Sequence, residues 1–265
     1  MEKLGFNMRA LRKTFEEHGV DTSQPLENRE DRIKRDNQRF TALLKKQQAR
    51  ELETQSLYPN NHRIAFKFSD WKPALQPNEK QARELGTRCF RYAQQLSKKP
   101  IDLFLTGTPG VGKTSLALAM LDMAQQQGLT TLFISTIMLR SLYDNRFNDE
   151  VIKRQLEHVK DAMKRVDVLV LDDFGTEGGS VNRIEKDGYT GAHQTMQGDI
   201  YDVANARWDF DNDRPGKTTI ITSNNVWDDL IRIYDPKTIS RLIPQDPKYT
   251  IVFIQMKDVR GKGKS

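Results

Sequence analysis

A glycine-rich loop at residues 107–114 is the first part of the chain whose residue types point to chemistry. It fits the pattern G-x-x-x-x-G-K-[ST], in which backbone N–H groups converge on phosphate oxygens and the following helix adds its dipole. The lysine predicts a contact bridging β- and γ-phosphates, and the threonine predicts a ligand for Mg²⁺. The predicted nucleotide-binding residues are Gly107, Thr108, Pro109, Gly110, Val111, Gly112, Lys113, Thr114 and Ser115. A fortuitous match in a turn is the alternative, which the predicted flanking strand and helix disfavour.

Two adjacent carboxylates follow an apolar run about sixty residues further along the chain. Residues 168–171 are Val-Leu-Val-Leu, and Asp172 and Asp173 come next. This is the Walker B pattern, in which Asp172 holds magnesium through its water shell and Asp173 orients and polarises the attacking water. Read alone, two acids at a strand end are equally typical of a solvated turn. The phosphate loop favours the catalytic interpretation.

A third polar strand end is found at residues 223–225, Ser-Asn-Asn, after the strand-like run 218–222. If this strand lies between the two strands just described, Asn224 can reach the γ-phosphate or the attacking water and is the sensor 1 candidate. Asn225 is one residue off and faces elsewhere. The alternative is a simple asparagine cap on a helix starting near Asp228.

Strand-like and helix-like periodicities alternate through the chain from residue 101 onward. Strands are predicted at 101–106, 130–135, 166–171, 218–222 and 249–254, and helices at 114–127 and 196–208. Alternating strands and helices favour an α/β fold with a parallel sheet covered on both faces. The sheet domain is predicted to span 58–265, and its first residues, 58–61, are predicted to form a linker.

The first 57 residues are predicted to form a small helical N-terminal region. Leu4, Met8, Leu11 and Phe15 recur at helical spacing, and residues 26–57 contain no Gly and have sparse apolar positions typical of a long, thinly amphipathic helix. Such a helix has little apolar surface with which to fold alone. We expect it to pack on the rest of the chain or on a partner.

Composition excludes several classes of protein. No apolar run approaches the length that spans a bilayer, and no secretory h-region is present, so we expect a cytoplasmic protein without membrane contact. One cysteine, Cys89, and four scattered histidines exclude a disulfide framework and a structural zinc site. The net charge of +6 hides basic flanks around an acidic middle. Such flanks are compatible with polyanion binding and equally with a solvated face.

Five motifs in fixed order give a resemblance to a known family. GTPGVGKT, VLVLDDFG, TIITSNN, TISRL and MKDVRGK together resemble the AAA+ ATPases of the DnaC-type helicase loaders and their IstB-type transposition relatives, over roughly residues 60–260. The resemblance implies an AAA+ P-loop NTPase three-layer sandwich that uses ATP and Mg²⁺. Relatives often carry Glu where this chain has Asp173, which implies slow hydrolysis.

The resemblance also implies roles for residues outside the loop and the acids. Arg241, in the TISRL motif, would be the arginine finger donated to a neighbour's nucleotide, and Arg260 would be a sensor 2-like residue. The aromatic stretch 68–71 would pack near the adenine. An arginine on a helix is more often part of a surface ion pair, so these roles depend on the resemblance.

Partners follow from the same resemblance. It implies a homo-oligomer with AAA+ interfaces, a DnaB-type hexameric replicative helicase engaged by the N-terminal region, and single-stranded DNA. The sequence departs from the loader pattern at 178–195, a polar insertion in which Arg183 and Lys186 are candidates for phosphate-backbone contact or parts of a solvent loop.

Four functions therefore stand beside one another. The leading hypothesis is an ATP-dependent loader of a replicative helicase, and the alternative is a transposition helper ATPase with the same catalytic motifs. A small-molecule P-loop kinase is disfavoured because no Arg-rich lid follows the Walker B strand. A nucleotide-switched binding protein with negligible turnover is the fourth possibility.

Overall fold

The computed structural model describes residues 13–14, 17–18, 29–176 and 191–259. The stripe Leu4, Met8, Leu11 and Phe15, the basic residues Arg183 and Lys186, and Arg260 lie outside the described residues. The chain divides into two compact units, Met1–Gln48 and Ala49–Ser265. Among the described residues, no helix is long and apolar enough to cross a membrane.

The long N-terminal helix is present. Helix α1 (Arg29–Glu53) starts and ends a few residues inside the predicted range. Acidic residues in its first turn and Arg50 in its last complement the helix dipole. Its apolar residues in the first unit are exposed: Ile33, Phe40, Leu43 and Leu44.

The second unit contains a five-stranded parallel sheet, as the alternating pattern predicts. Its strands are β1 (Leu103–Gly107), β2 (Thr131–Ser135), β3 (Val168–Asp172), β6 (Thr218–Ser223) and β7 (Thr250–Phe253), in the order β2-β3-β6-β1-β7. Strand β6 therefore lies between the strand of the phosphate loop and the strand of the two acids. All five predicted strands are confirmed to within a few residues.

Helices cover the sheet on both faces. They are α2 (Glu79–Ala93), α3 (Lys113–Gln126), α4 (Thr136–Asn145), α5 (Glu150–Arg165), α6 (Gly191–Ala206), α7 (Trp227–Ile233) and α8 (Pro236–Leu242). Successive strand side chains alternate between two cores: Leu103 and Leu105 pack with α2 and α3, whereas Phe104 packs with the helices of the other face. This is the three-layer α/β P-loop NTPase fold, preceded by a helical region.

A contact at the β2 edge of the sheet was not predicted. Leu57, assigned to the N-terminal region, pairs with β2: its N–H donates to Phe133 O at 2.8 Å, and its carbonyl accepts from Ser135 N at 2.8 Å. Tyr58, in the predicted linker, stacks on the Phe133 ring with centroids 4.8 Å apart. The buried Leu57 side chain ties this segment to the sheet because extended backbone at an open edge gains ladder hydrogen bonds.

A two-stranded antiparallel ribbon, β4 (Trp208–Asp209) with β5 (Arg214–Pro215), is inserted between α6 and β6. The sequence predicted helix as far as Trp208, but α6 ends at Ala206 and begins five residues earlier than expected, at Gly191. Both Gly216 N and Lys217 N donate to Arg207 O, which closes the base of the ribbon.

Candidate functional site

The phosphate loop connects the carboxyl end of β1 to the first turn of α3. Gly110 and Gly112 have left-handed φ values of 78° and 97°. A Cβ at Gly112 would come within 2.6 Å of the Trp71 ring, and one at Gly110 would collide with the Asp258 carboxylate. These positions therefore require glycine for both backbone conformation and space. The result is a tight turn with its N–H groups at the start of a helix.

Lys113, the first residue of α3, is held by hydrogen bonds to the loop. The residue is only 5% exposed. Its Nζ donates to Gly107 O at 2.7 Å, to Thr108 O at 2.8 Å and to Asn224 Oδ1 at 2.8 Å. Its ammonium group is therefore held between the loop and the end of β6, where a phosphate bound by the loop would meet it.

Asp172 lies at the tip of β3 and is 2% exposed. Its Oδ1 accepts hydrogen bonds from Thr114 Oγ1 at 2.8 Å and from Thr222 Oγ1 at 2.6 Å. Burial raises the pKa of this carboxyl group to about 6, and the neighbouring Asp173 charge also raises it, while the two hydroxyl donors and Lys113 lower it. The predicted pair of cation ligands, Thr114 and Asp172, is thus in direct contact.

Asp173 is held by a strained turn rather than by the strand itself. Its φ is 56°, its N–H donates to Thr222 Oγ1 at 3.0 Å, and its carbonyl accepts from Thr136 Oγ1 at 3.0 Å. Phe174 N donates to Thr222 O at 2.9 Å and closes the turn against β6. A non-glycine residue in this backbone region costs free energy, which the surrounding hydrogen bonds offset. The turn places Asp173 in the wall of the cleft.

These elements enclose a cleft of about 400 Å³. Eight of the sequence-predicted residues line it: Pro109, Gly110, Gly112, Lys113, Thr114, Ser115, Asp173 and Asn224. Gly107 and Thr108 contribute the carbonyls that hold Lys113. The Val111 side chain is fully buried in the core under α3, so only its backbone is available to a phosphate.

The two asparagines after β6 have different partners. Asn224 faces Lys113, as the sensor 1 interpretation requires. Asn225 turns away: its Nδ2 donates to Gly175 O at 3.2 Å. The alternative of an asparagine cap is wrong, because the N-cap of α7 is Val226, which makes no side-chain capping bond.

Aromatic residues form the other wall of the cleft. Phe66, Trp71 and Leu75 line it, and the Trp71 indole N–H donates to Ala82 O at 2.9 Å. Phe68, from the same aromatic stretch, packs edge-on against Phe90 instead, with centroids 5.3 Å apart. Trp71 is thus the member of 68–71 that both covers the loop and faces the cleft.

The segment 256–259 packs against the phosphate loop, a contact that the sequence did not predict. Gln76 is buried and exchanges two hydrogen bonds with the Lys257 backbone, at 2.9 and 2.8 Å. Val259 N donates to Gly110 O at 3.3 Å, and Val259 lines the cleft. Because Gln76 and Lys257 are 181 residues apart in sequence, no local pattern could have paired them.

Arg241 is not near the cleft of its own chain. It lines a second cavity of about 610 Å³, together with Lys99, Ile101 and Asp102 before the amino end of β1. The phosphate loop follows the carboxyl end of the same five-residue strand, which is about 17 Å long. The structure therefore separates Arg241 from the other predicted catalytic residues.

A buried arginine near this cavity had no sequence signal. Arg207 is 3% exposed and donates to Met163 O and Val166 O, both at 2.8 Å, and to Thr218 O at 2.5 Å. Burial lowers its pKa to about 10. Nearby, burial raises the pKa of Asp102 to about 7, although its Oδ1 accepts from Thr219 N at 2.7 Å. Arg207 therefore joins the segment before β3 and the start of β6 to the base of the ribbon. Asp102 joins the segment before β1 to β6.

Comparisons with known proteins place this geometry in a family. The sequence profile described as IstB-like ATP binding protein matches residues 26–229, more than half of the chain. A crystal structure of DnaI is 20% identical, covers 76% of this chain and 96% of that chain, and gives a TM-score of 0.51. A Streptococcus pyogenes serotype M3 protein, proposed to be a primosome component, is 19% identical over 77% of this chain and 93% of that chain, with a TM-score of 0.50.

The replication initiator DnaA, solved with AMPPCP and single-stranded DNA, is 18% identical over 64% of this chain, with a TM-score of 0.47. The chain spans 45% of the length of that DnaA protein. No curated protein matches the chain. The DnaI and Streptococcus structures share its fold. The profile shows an AAA+ ATPase domain of an ATP-binding family. The chain belongs to the family of IstB-like ATP-binding proteins.

Proposed function

We propose that the chain is a Mg²⁺-dependent ATPase that loads a hexameric, DnaB-type replicative helicase onto single-stranded DNA during DNA replication in the cytoplasm. The observation that carries the enzymatic part is the convergence of Lys113, Thr114, Asp172, Asp173 and Asn224 at the phosphate loop. These side chains come from the ends of β3 and β6 and from the first turn of the helix that follows β1. Together they supply phosphate binding, cation binding and water activation.

ATP binding requires Lys113 to exchange hydrogen-bond partners. Its Nζ is held by two loop carbonyls and by Asn224 Oδ1. Phosphate oxygens are charged and therefore stronger acceptors, so Lys113 turns toward the β- and γ-phosphates. That exchange frees the Asn224 amide to orient the terminal phosphate or the attacking water.

Thr114 and Asp172 are the residues that would hold Mg²⁺. A hydroxyl and a carboxylate oxygen in contact at 2.8 Å are the hard oxygen donors that this cation prefers. The described residues contain no group of three or more His, Cys, Asp or Glu that could hold a metal ion. This fits a cation that completes its shell with phosphate oxygens and water, and that neutralises charge on the phosphates.

Asp173 is the proposed acceptor for the proton of the attacking water. Its carboxylate lies in the cleft wall, and the turn at 172–175 fixes its backbone. Its side chain is one methylene shorter than that of the Glu that relatives often carry at this position. The shorter side chain supports slow hydrolysis. Acceleration by a partner or by DNA belongs to the same proposal.

As the proposed arginine finger, Arg241 would act on the nucleotide of a second copy, because it lies at the opposite end of the sheet from its own phosphate loop. Fingers supplied in trans contribute about 10³ to 10⁵ in rate in GTPases. Arg241→Ala is therefore expected to retain ATP binding and to lose most of the hydrolysis of the assembled protein.

A mixing experiment tests the shared site directly. Lys113→Ala copies keep the finger, and Arg241→Ala copies keep the cleft, so some interfaces in a mixed assembly contain one intact half from each. We expect the mixture to hydrolyse ATP faster than either variant alone. No recovery, in mixtures that assemble normally, would contradict a shared site.

An exposed aromatic residue between α4 and α5 supports contact with single-stranded DNA. Phe147 is 82% exposed, and the Arg146 guanidinium lies 4.2 Å from the centre of its ring. An exposed ring beside a cation is the combination on which bases stack without sequence preference. Phe147→Ala is expected to weaken single-stranded DNA binding about 5- to 150-fold, the range that stacking of one base gives. Val151→Ala, at another exposed apolar residue nearby, is the matched control.

The exposed row on α1 supports engagement of a partner by the N-terminal region. Ile33, Phe40, Leu43 and Leu44 lie along one side of the helix, the arrangement with which an amphipathic helix docks in a groove. The deciding experiment is co-elution of the full chain with a DnaB-type replicative helicase. Phe40→Ser with Leu43→Ser is expected to abolish co-elution and to leave ATP binding intact, whereas Gln38→Ser, on the other side of α1, changes neither.

A transposition helper is the second candidate, and the family profile favours it as much as the loader. The same co-elution experiment with a transposase separates the two candidates. Capture of the transposase and not of the helicase would overturn the loader proposal, while the ATPase assignment would stand.

A further inference from the structure

Arg241 is held between two aromatic rings in the cavity at the amino end of the sheet. Its guanidinium carbon lies over the Tyr201 ring at 5.1 Å from the centroid and over the Phe210 ring at 5.7 Å. Tyr201 lies on α6, Phe210 in the turn of the β4–β5 ribbon, and Arg241 near the end of α8. Three elements that are separate in the chain thus converge on one side chain.

Tyr201 contacts Arg241 through its hydroxyl group as well as its ring. The pKa of the Tyr201 phenol is lowered, first by a hydrogen bond from Arg241 and then by one from Asn205. Phe210 makes no such bond and is 62% exposed. The two rings therefore act differently: Tyr201 fixes one edge of the guanidinium, and Phe210 covers it from the solvent side.

One edge of the guanidinium lacks an acceptor. Among the described residues, Arg241 Nη1 is buried and has no hydrogen-bond partner. Two of the three acids that line the cavity have other partners: Asp102 accepts from Thr219 N, and Asp246 pairs with Lys248. None of the three, Asp213 included, accepts from Nη1. A buried, charged N–H donor without an acceptor is unfavourable. Because Nη1 is buried, an acceptor from outside the chain would reach it only with a shift of the guanidinium or of a side chain that covers it.

The ribbon that carries Phe210 is itself anchored to the sheet. Gly216 N donates to the carbonyl of Arg207 at 2.8 Å, and the Arg207 side chain is tied to carbonyls at the amino ends of the strands. Asp209 and Arg214 pair across the ribbon at 3.4 Å. The position of Phe210 is therefore set by the core of the domain.

We propose that Tyr201 and Phe210 are positioning residues for Arg241, holding its guanidinium in an orientation from which it meets a phosphate oxygen of the nucleotide bound by a second copy. This inference rests on the proposed shared ATPase site. Ring faces hold a planar cation in orientation while leaving its edge donors available for in-plane hydrogen bonds. The aromatic pair thereby reduces the freedom that a long arginine side chain loses when it meets the phosphate.

The test compares steady-state ATP hydrolysis by the full-length variants under conditions where they assemble. Phe210→Leu removes the ring and is expected to lower kcat about 3- to 30-fold, in the range of a cation–π contact, with KM and ATP affinity unchanged. Phe210→Trp keeps a ring and should restore kcat. Tyr201→Phe, which keeps the ring and loses the hydroxyl, should give a smaller loss than Phe210→Leu.

Two controls separate positioning from folding. Asp211→Ala changes the same ribbon turn without removing a ring and should leave kcat unchanged. Adding Phe210→Leu to Arg241→Ala should cause no further loss, because the ring acts only through the arginine. A further loss in the double variant, or a fall in melting temperature with Phe210→Leu that accounts for its lost activity, would overturn the positioning role.

The failures of the two proposals are distinguishable. If Arg241→Ala hydrolyses ATP normally in the assembled state, the shared site fails. If Arg241→Ala is inactive and Phe210→Leu is fully active, the shared site stands and the positioning role of the ring is wrong.

Discussion

The two ends of the parallel sheet use charged residues in contrasting ways. At the carboxyl end, Lys113 has three acceptors and Asp172 two hydroxyl donors within the same chain. At the amino end, Arg207 donates to backbone carbonyls and to the Thr219 hydroxyl, whereas Arg241 has a buried N–H with no acceptor among the described residues. At the carboxyl end these charged groups are paired within the chain, and at the amino end a buried anchor lies in the same region as an arginine with an unpaired N–H among the described residues.

The difference bears on where the proposed second copy would act. A pre-organised cleft gains from having its groups already placed before the nucleotide arrives, since little ordering remains to be done on binding. An unsatisfied cation beside a cavity gains only when another molecule brings an anion. The comparison predicts that substitutions at the carboxyl end change what one chain does, whereas those at the amino end change stability or assembly-dependent activity.

The largest expected effect is on nucleotide binding. Lys113→Ala removes the charge aimed at the β- and γ-phosphates, and two lost charge-assisted hydrogen bonds weaken binding on the order of 10³-fold or more. Titration of the monomer with ATP by calorimetry measures this loss. Lys98→Ala, at an exposed lysine, is the control and should bind normally. Unchanged ATP affinity in Lys113→Ala would show that the cleft at the carboxyl end does not bind the nucleotide through this lysine.

The two adjacent acids should separate binding from turnover. Asp173→Asn cannot accept a proton and is expected to lower hydrolysis about 10²- to 10⁴-fold while ATP still binds. Asp172→Asn is expected to impair Mg²⁺-dependent binding itself. Asp173→Glu, which keeps the carboxylate, should retain turnover. Parallel loss of binding and hydrolysis in Asp173→Asn would identify Asp173 as a metal ligand instead.

At the amino end, the expected effect is on folding. Arg207→Met leaves several buried carbonyls without donors and is expected to cost about 3 to 5 kcal/mol of unfolding free energy. The melting temperature should fall by about 6 to 20 °C for a chain of this size. Arg165→Met, at an exposed arginine paired with Asp161 at 2.9 Å, should change it little. A normal melting temperature for Arg207→Met would show that this end is no anchor.

A smaller effect concerns the pH dependence of stability without ligand. The pKa of Asp172 is raised from 3.8 to about 6 in the folded chain, so the folded state holds the proton more tightly than the unfolded state. Its contribution to the free energy of unfolding is therefore full below about pH 4 and is lost as pH rises through about 6.

Relative to the wild type, Asp172→Asn should gain up to about 3 kcal/mol between pH 4 and pH 8, measured by denaturant unfolding without nucleotide or magnesium. Asp161→Asn, on the exposed face of α5, serves as the control. Parallel curves for the wild type and Asp172→Asn across this range would mean that the carboxylate is ionised in the folded chain at little cost.

Most of the carboxyl-end site could be predicted from sequence, because its members keep fixed positions relative to a loop or a strand end. Asp172 follows an apolar run and Asn224 follows a strand-like run rich in Thr and Ile, and parallel strands bring such ends to one edge. The cap interpretation of the asparagines was wrong because the choice depends on where α7 begins, and a single residue decides it. Gln76 escaped notice because its partner, the Lys257 backbone, carries no side-chain signal.

The sequence by itself determined the strand and helix pattern, the phosphate loop and the order of the acids, because these depend on periodicity and short-range spacing. Only the tertiary structure decided that Arg207 is an anchor and that Arg241 stands between Tyr201 and Phe210, away from its own cleft. In the sequence, Arg207 and Arg241 are both arginines close to the end of a helix, and no local pattern distinguishes their roles. Its role depends on which carbonyls and rings the packing of distant segments brings within reach, and burial then fixes whether its charge is satisfied inside the chain or requires another molecule.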